Sequence, residues 1–193
     1  MKKNESMRYI DRRDRVMGTR VFKIENLSYV IGNDIWKILR ETDKEFIPPL
    51  SARHDTLQRS FAGLRKMPSP RNYFASILKQ EFIGVRVHGR VVGILSYIPE
   101  YNVTINGNEH KCVYVSTVAV KQRYRGKGLT YKLYENLLKR CRGKEVLTRT
   151  WSTNYAHLHV LEKLGFECVD RIKDDRGEGL DTVYYMRGAS DGR

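Results

Sequence analysis

Cysteine is scarce in this chain, and so is negative charge. Three cysteines, Cys112, Cys141 and Cys168, stand among 193 residues. Their number is odd, their spacings are wide and none forms a C-x-x-C pair, so neither a disulfide framework nor a structural zinc site is expected. The five histidines, His54, His88, His110, His157 and His159, form no H-E-x-x-H motif. No metal is expected, since His157 and His159 diverge on a helix. No apolar run approaches the roughly 20 residues that cross a bilayer, so no membrane association is expected. The first twenty residues, MKKNESMRYIDRRDRVMGTR, lack the apolar stretch of a secretory signal. The expectation is a cytoplasmic protein. Asp and Glu number 22 against 36 Lys and Arg, a formal charge of +14. Such a balance attracts polyanions: nucleic acid, an anionic surface or a phosphate-rich cofactor. Charge alone does not choose among them.

Hydrophobic residues at 40% and aromatics at 10% exclude a disordered chain. The length suits one domain able to bury its own core. Residues 1–19 read as a basic, partly ordered arm, 20–187 as a single domain and 188–193 as a flexible tail. Val21 to Ile24 predicts a first strand. Asn33 is placed to cap a helix carrying Ile35, Trp36, Ile38 and Leu39, broken by Pro48-Pro49. A second helical region is expected from Thr56 to Leu64, and a short helix after Ser69-Pro70. From residue 81 the period becomes that of strands. His88-Gly89 and Asn106-Gly107-Asn108 mark two hairpins. A helix with Leu133, Tyr134, Leu137 and Leu138 on one face follows, then a strand from Val146 to Thr150. A helix from Tyr155 to Leu164 and a closing hairpin, Phe166–Ile172 with Thr182–Met186, complete a mixed α/β order.

The most informative stretch runs from Val118 to Thr130. A strand ends, Arg123-Tyr124-Arg125-Gly126-Lys127-Gly128 makes a basic glycine turn, and a helix opens at Leu129. Helix-start N–H groups have no partner within the helix and sit at the positive end of its dipole. Glycine lets a phosphate approach the backbone, so the turn suits a pyrophosphate. It is neither a Walker loop nor a G-x-G-x-x-G turn.

The pattern Arg123-x-x-Gly126-x-Gly128 resembles the R/Q-x-x-G-x-G/A acyl-CoA turn of the GNAT superfamily of N-acetyltransferases. A second segment, from Asn154 to Leu161-Glu162-Lys163-Leu164-Gly165-Phe166, resembles that family's fourth helix. The resemblance spans roughly residues 20 to 187 and is specific from about 112 to 166. It implies an α/β (α+β) fold: a mixed, mostly antiparallel central sheet flanked by helices, with a splayed strand pair at the acyl-CoA cleft. It implies acetyl-CoA as co-substrate and direct transfer of an acetyl group to a primary amine. Val118, Ala119 and Val120 would border the pantetheine arm. Backbone groups of Arg123, Tyr124, Arg125, Gly126, Lys127, Gly128, Leu129 and Thr130 would hold the pyrophosphate. Asn154, with His157 and Leu161 on the same helix, would face the pantetheine side. Many family members are dimers, which makes a homodimer one expectation.

One position departs from the family. A tyrosine often stands seven residues after the asparagine, as the acid for the leaving thiolate; here it is Leu161. His157 lies one helical turn earlier on nearly the same face and can exchange a proton near neutral pH. Tyr114 is a second catalytic candidate, sharing the strand face of Val118 if no bulge intervenes. Glu81, Glu100 and Glu109 lie near the middle strands as carboxylates without an assigned role. For the acceptor, Phe46 and Pro49 are candidate pocket walls and Trp151 a candidate lining residue. Asp181, with Asp174, Asp175 and Glu178, is expected to attract a cationic amine. Two alternatives remain beside a small amine: acetylation of an RNA-linked or ribosomal target, and a non-catalytic module binding CoA or nucleic acid.

Overall fold

The computed structural model describes residues 18–189 except 59, 62, 63, 65 and 66. Nearly all of the basic arm and the last four residues of the tail lie outside the described residues. Seven strands form one sheet: β1 (Arg20–Ile24), β2 (Glu81–Val87), β3 (Arg90–Ile105), β4 (Asn108–Val120), β5 (Val146–Trp151), β6 (Glu167–Ile172) and β7 (Thr182–Arg187). Their order is β1-β2-β3-β4-β5-β7-β6. Every neighbouring pair is antiparallel except β4 with β5. The helices are α1 (Tyr29–Thr42), α2 (Arg71–Ile77), α3 (Leu129–Arg140) and α4 (Tyr155–Lys163).

Local chemistry explains most boundaries. Ser28 caps α1 by accepting the Ile31 N–H, so Asn33 lies inside the helix rather than at its start. Both hairpin turns place two successive residues at positive φ, His88-Gly89 and Asn106-Gly107. That geometry matches the twist of the strands it joins. No helix forms among the described residues from Thr56 to Leu64. The Thr56 and Gln58 carbonyls instead accept from the Arg149 side chain. A side chain from β5 thereby takes the role that helical N–H groups would have played.

The sheet carries a separate core on each face. On one face α3 and α4 cover Val113, Val115, Val120 and Val146 with Leu133, Tyr134, Leu137 and Leu161. On the other, Ile35, Ile38, Leu39 and Tyr73 from α1 and α2 pack on Phe82, Ile94 and Ala119. A third cluster joins Tyr114 and Cys112 to Leu147 and Met186.

A bulge in β4 decides which residues share a face. Ser96 pairs with Thr117 while Tyr97 pairs with Val115, so Ser116 is the extra residue. Val113 and Val115 before it, and Val118 and Val120 after it, all reach the α3 side. The side-chain period of two is therefore shifted by one. Tyr114 and Val118 point to opposite faces, which corrects their expected alignment.

Candidate active site

Strands β4 and β5 pair only at Val113 with Val146, Tyr114 with Leu147 and Val115 with Thr148. Beyond that point each remains bonded to its outer neighbour, β4 to β3 as far as Val120 and β5 to β7 as far as Trp151. The inner edges therefore part. Lys121 donates its N–H to Val92 O, on the β3 side. By the alternation of an antiparallel ladder, the amide groups of Val118 and Val120 face the gap. A cleft opens there, lined by Ser116 to Val120 from β4 and Thr148 to Trp151 from β5. Thr42, Glu45, Phe46, Arg53, Arg125, Thr130, Asn154, His157 and Arg176 complete its walls.

Arg125 and Thr130 line the cleft and bracket an exposed turn. Gly126 and Gly128 sit at φ 71° and 68°, and a Cβ on either would meet open space. Glycine is needed there for the backbone conformation rather than for room. Gly128 is the cap of α3 and supplies no side-chain bond. Among the described residues, the N–H groups of Gly126, Gly128, Leu129 and Thr130 find no backbone acceptor. Free N–H groups at the positive end of a helix are suited to an anion. The expected basic side chains do not all serve it. Arg125 turns back to donate to Val120 O at 2.8 Å and pairs with Glu45. Arg123 lies over the Tyr124 ring. The Gln122 N–H is held by Glu41 of α1, so the first helix braces the turn. Leu129 is buried in the core below it.

Asn154 stands at the start of α4 and donates to Thr150 Oγ1 at 2.9 Å. His157 lines the cleft, and its Nε2 lies 2.8 Å from the Tyr134 hydroxyl. Burial pushes the His157 pKa down to about 4, so the ring is neutral at physiological pH. Thr148 donates to Val115 O at 3.0 Å, and its oxygen lies 3.5 Å from the Tyr134 hydroxyl. Thr148 spends its own proton on Val115 O, so the Tyr134 hydroxyl donates to Thr148 and its oxygen is free to accept from the His157 Nε2–H. Tyr134 was legible in the sequence only as part of an apolar helix stripe. Leu161 is sealed in the core beside it and does not line the cleft.

The opposite face of the cleft is arginine-rich. Phe46 and Trp151 line it with ring centroids 6.0 Å apart. Pro49 is not in the lining; the neighbouring Ile47 and Pro48 carbonyls instead accept from Arg53. Arg176 donates to Ile47 O and to Thr182 Oγ1. Asp181 is committed elsewhere: its carboxylate accepts from Arg171 and from the Asp174 N–H, and it does not line the cleft. Those two bonds hold its pKa below the usual carboxylate value. Asp174 receives the Gly179 N–H and Asp175 the Thr182 hydroxyl. The acidic hairpin thus stabilises its own turn, and the guanidinium of Arg176, not a carboxylate, reaches the cleft. Tyr114 is buried against Tyr101, with burial raising its pKa, and lies outside this lining. Glu81 is bound by Tyr97 and Lys23 and Glu100 pairs with Lys111. Glu109 lines a separate groove. Among the described residues the carboxylate that does line the cleft is Glu45.

A mixed sheet opened between two parallel strands, with an anion turn where one of them enters a helix, defines a class of acyl-CoA-using folds. The model of the acetyltransferase (GNAT) family matches residues 38–166. The chain belongs to this family. Solved structures agree in fold. An Escherichia coli ribosomal-protein-S18-alanine N-acetyltransferase is 16% identical, with 91% of this chain and 96% of that one covered at a TM-score of 0.59. The yncA protein of Salmonella typhimurium, solved with its cofactor acetyl-CoA, is 18% identical over 90% and 95% at 0.60. An aminoglycoside 6'-N-acetyltransferase of Enterococcus faecium is 14% identical over 90% and 99% at 0.61. No curated protein sequence gives a significant match.

Proposed function

We propose that the chain transfers an acetyl group from acetyl-CoA to a primary amine in a single direct step. The observation that carries this reading is the parted β4–β5 pair, whose free edge at Val118 and Val120 leads to the anion turn at Gly126 and Gly128. The turn would take the pyrophosphate and the strand edge the amide-bearing pantetheine arm. The thioester would then lie near the β4 bulge. The amine nitrogen attacks the thioester carbonyl, the C–N bond forms, the C–S bond breaks and the amine loses a proton. The leaving thiolate takes up the amine's proton by way of water, and the neutral His157, itself too weak an acid to protonate a thiolate, is placed on the α4 side to hold that water. Glu45, paired with Arg125, is the carboxylate in the lining available to accept the amine proton through water.

The test is a calorimetric titration with acetyl-CoA at physiological salt, followed by thiol release with an amine panel. One site per chain with micromolar affinity is expected. Folded protein, free of prebound CoA, that takes up no acetyl-CoA would sink the proposal.

A further inference from the structure

Three guanidinium groups converge on the face of the cleft away from His157. Arg53, Arg149 and Arg176 all line it, and their guanidinium carbons lie 5.2, 5.3 and 4.4 Å from the Phe61 ring centroid. Arg53 and Arg176 are each only 9% exposed. Three arginines elsewhere in the fold have carboxylate partners: Arg90 with Asp34, Arg125 with Glu45, Arg171 with Asp181. Arg53, Arg149 and Arg176 form no ion pair among the described residues; the nearest carboxylate, Asp175, is held by the Thr182 hydroxyl and acts on Arg176 without pairing with it. The sequence between Asp55 and Glu81 contains no acidic residue at all, and its Thr56, Gln58 and Phe61 touch the cluster.

Neutral acceptors satisfy part of the cluster. Arg53 uses Nε and Nη2 on the Pro48 and Ile47 carbonyls, Arg176 uses Nε and Nη1 on Thr182 and Ile47, and Arg149 uses Nη2 on Thr56 and Gln58. Beyond these bonds Arg53 has the Tyr73 hydroxyl beside it, and Arg176 Nη2 meets no acceptor among the described residues. Burial and the neighbouring Arg53 and Arg149 charges push the Arg176 pKa down to about 9. Like charges held together out of water are costly unless a counter-ion arrives. Planar forks are also the groups best matched to a carboxylate or phosphate. The cofactor's own pyrophosphate does not meet this need. The anion turn begins past Val120, on the order of 15 Å along β4 from Val115, where the strands part.

Resting on the acyltransferase reading, we infer that the acceptor amine carries its own anionic group, a carboxylate or phosphate, which Arg53 and Arg176 bind on the face of the cleft opposite His157. Phe46 and Trp151 flank that position, so the body between amine and anion is small and tolerates an apolar side chain. This reverses the charge expected of the pocket from the acidic hairpin in the sequence.

The experiment follows CoA thiol release with matched pairs: L-phenylalanine against phenethylamine, and O-phosphoethanolamine against ethanolamine. Within at least one pair the anionic member should exceed the neutral one about tenfold or more in kcat/KM, as a charge-assisted hydrogen bond implies. Which pair shows it separates carboxylate from phosphate. Arg176→Gln should raise KM for the anionic acceptor about tenfold while the neutral amine changes less than about twofold, and Arg176→Lys should restore part of the loss. If the glutamine variant does not fold, 3-phenylpropanoate should inhibit the wild type competitively against the amine and not against acetyl-CoA. Equal rates within both pairs, or an Arg176→Gln loss shared equally by anionic and neutral amines, overturns the inference and leaves the acyltransferase reading standing. Acetyl-CoA binding without turnover of any anionic member overturns it too. Failure to bind acetyl-CoA removes both.

Discussion

His157 owes its chemistry to its surroundings more than to its ring. Burial lowers its pKa to about 4, and the Tyr134 hydroxyl at 2.8 Å orients it. The unfolded chain would protonate this histidine near pH 6.5, the folded one only near pH 4. Between those values the unfolded state binds more protons, so stability rises with pH across the window and this contribution is flat above it. Replacing His157 with Gln should therefore reduce the loss of stability between pH 7 and pH 4.5, read by denaturant titration at both. The same variant should lower turnover about tenfold if the ring holds the water that carries the proton, with acetyl-CoA affinity close to wild type. The wild-type rate should show no inflexion near pH 6.5 from this residue. An unchanged turnover would assign His157 a packing role only.

Elements place these residues by small irregularities. One extra residue, Ser116, turns Val118 and Val120 toward the α3 face, and its hydroxyl is held by Ser96 at 2.8 Å and by Gln80 at 2.6 Å. Thr117 is held in turn by the Tyr73 hydroxyl at 2.7 Å. The bulge is thus locked from β3 and α2 by a buried polar network. At the other end of the strand the turn depends on positive φ. A Val at position 128 meets no atom within contact distance, but the β-branched residue resists φ 68°. Gly128→Val should cost about 1–2 kcal/mol of stability and raise KM for acetyl-CoA more than it lowers kcat. Kinetics at varied acetyl-CoA would check this, and an equal KM would show that the turn does not hold the cofactor.

At the scale of the molecule the sheet joins two separate cores, and the cleft runs between them. Helices α3 and α4 supply the anion turn and His157. Helix α1 supplies Glu41 and the short turn after it supplies Glu45, and the segments around Ile47 and Thr56 steady the arginines. A ligand that spans the cleft contacts both halves and binds only the folded chain. Acetyl-CoA at 100 times its Kd should therefore add about 2.7 kcal/mol. For a chain of this length that corresponds to roughly 5–10 °C in Tm. A thermal scan with acetyl-CoA, with adenosine diphosphate as control, reads it. No shift in saturating acetyl-CoA would count against the cleft as its site.

The sequence by itself determined the elements whose causes are local. Two hairpin turns that need positive φ, a glycine turn opening α3 and an apolar stripe along that helix are written in neighbouring residues, and so was the family. The cap of α1 lies more than a turn before the expected Asn33, because Ser28 makes the bond. What the tertiary structure alone decided involves partners distant in the chain. The β4 bulge leaves no compositional trace, so the faces of Tyr114 and Val118 could not be read. Thr56 to Leu64 has helical spacing, but Arg149, some 90 residues later, takes its carbonyls. The acidic hairpin looked like a cation trap because its carboxylates are adjacent in sequence. Folding spends them on Arg171, Thr182 and their own backbone, and brings Arg53, Arg149 and Arg176 together instead. Long-range burial sets charge at a site, and a linear pattern does not record it.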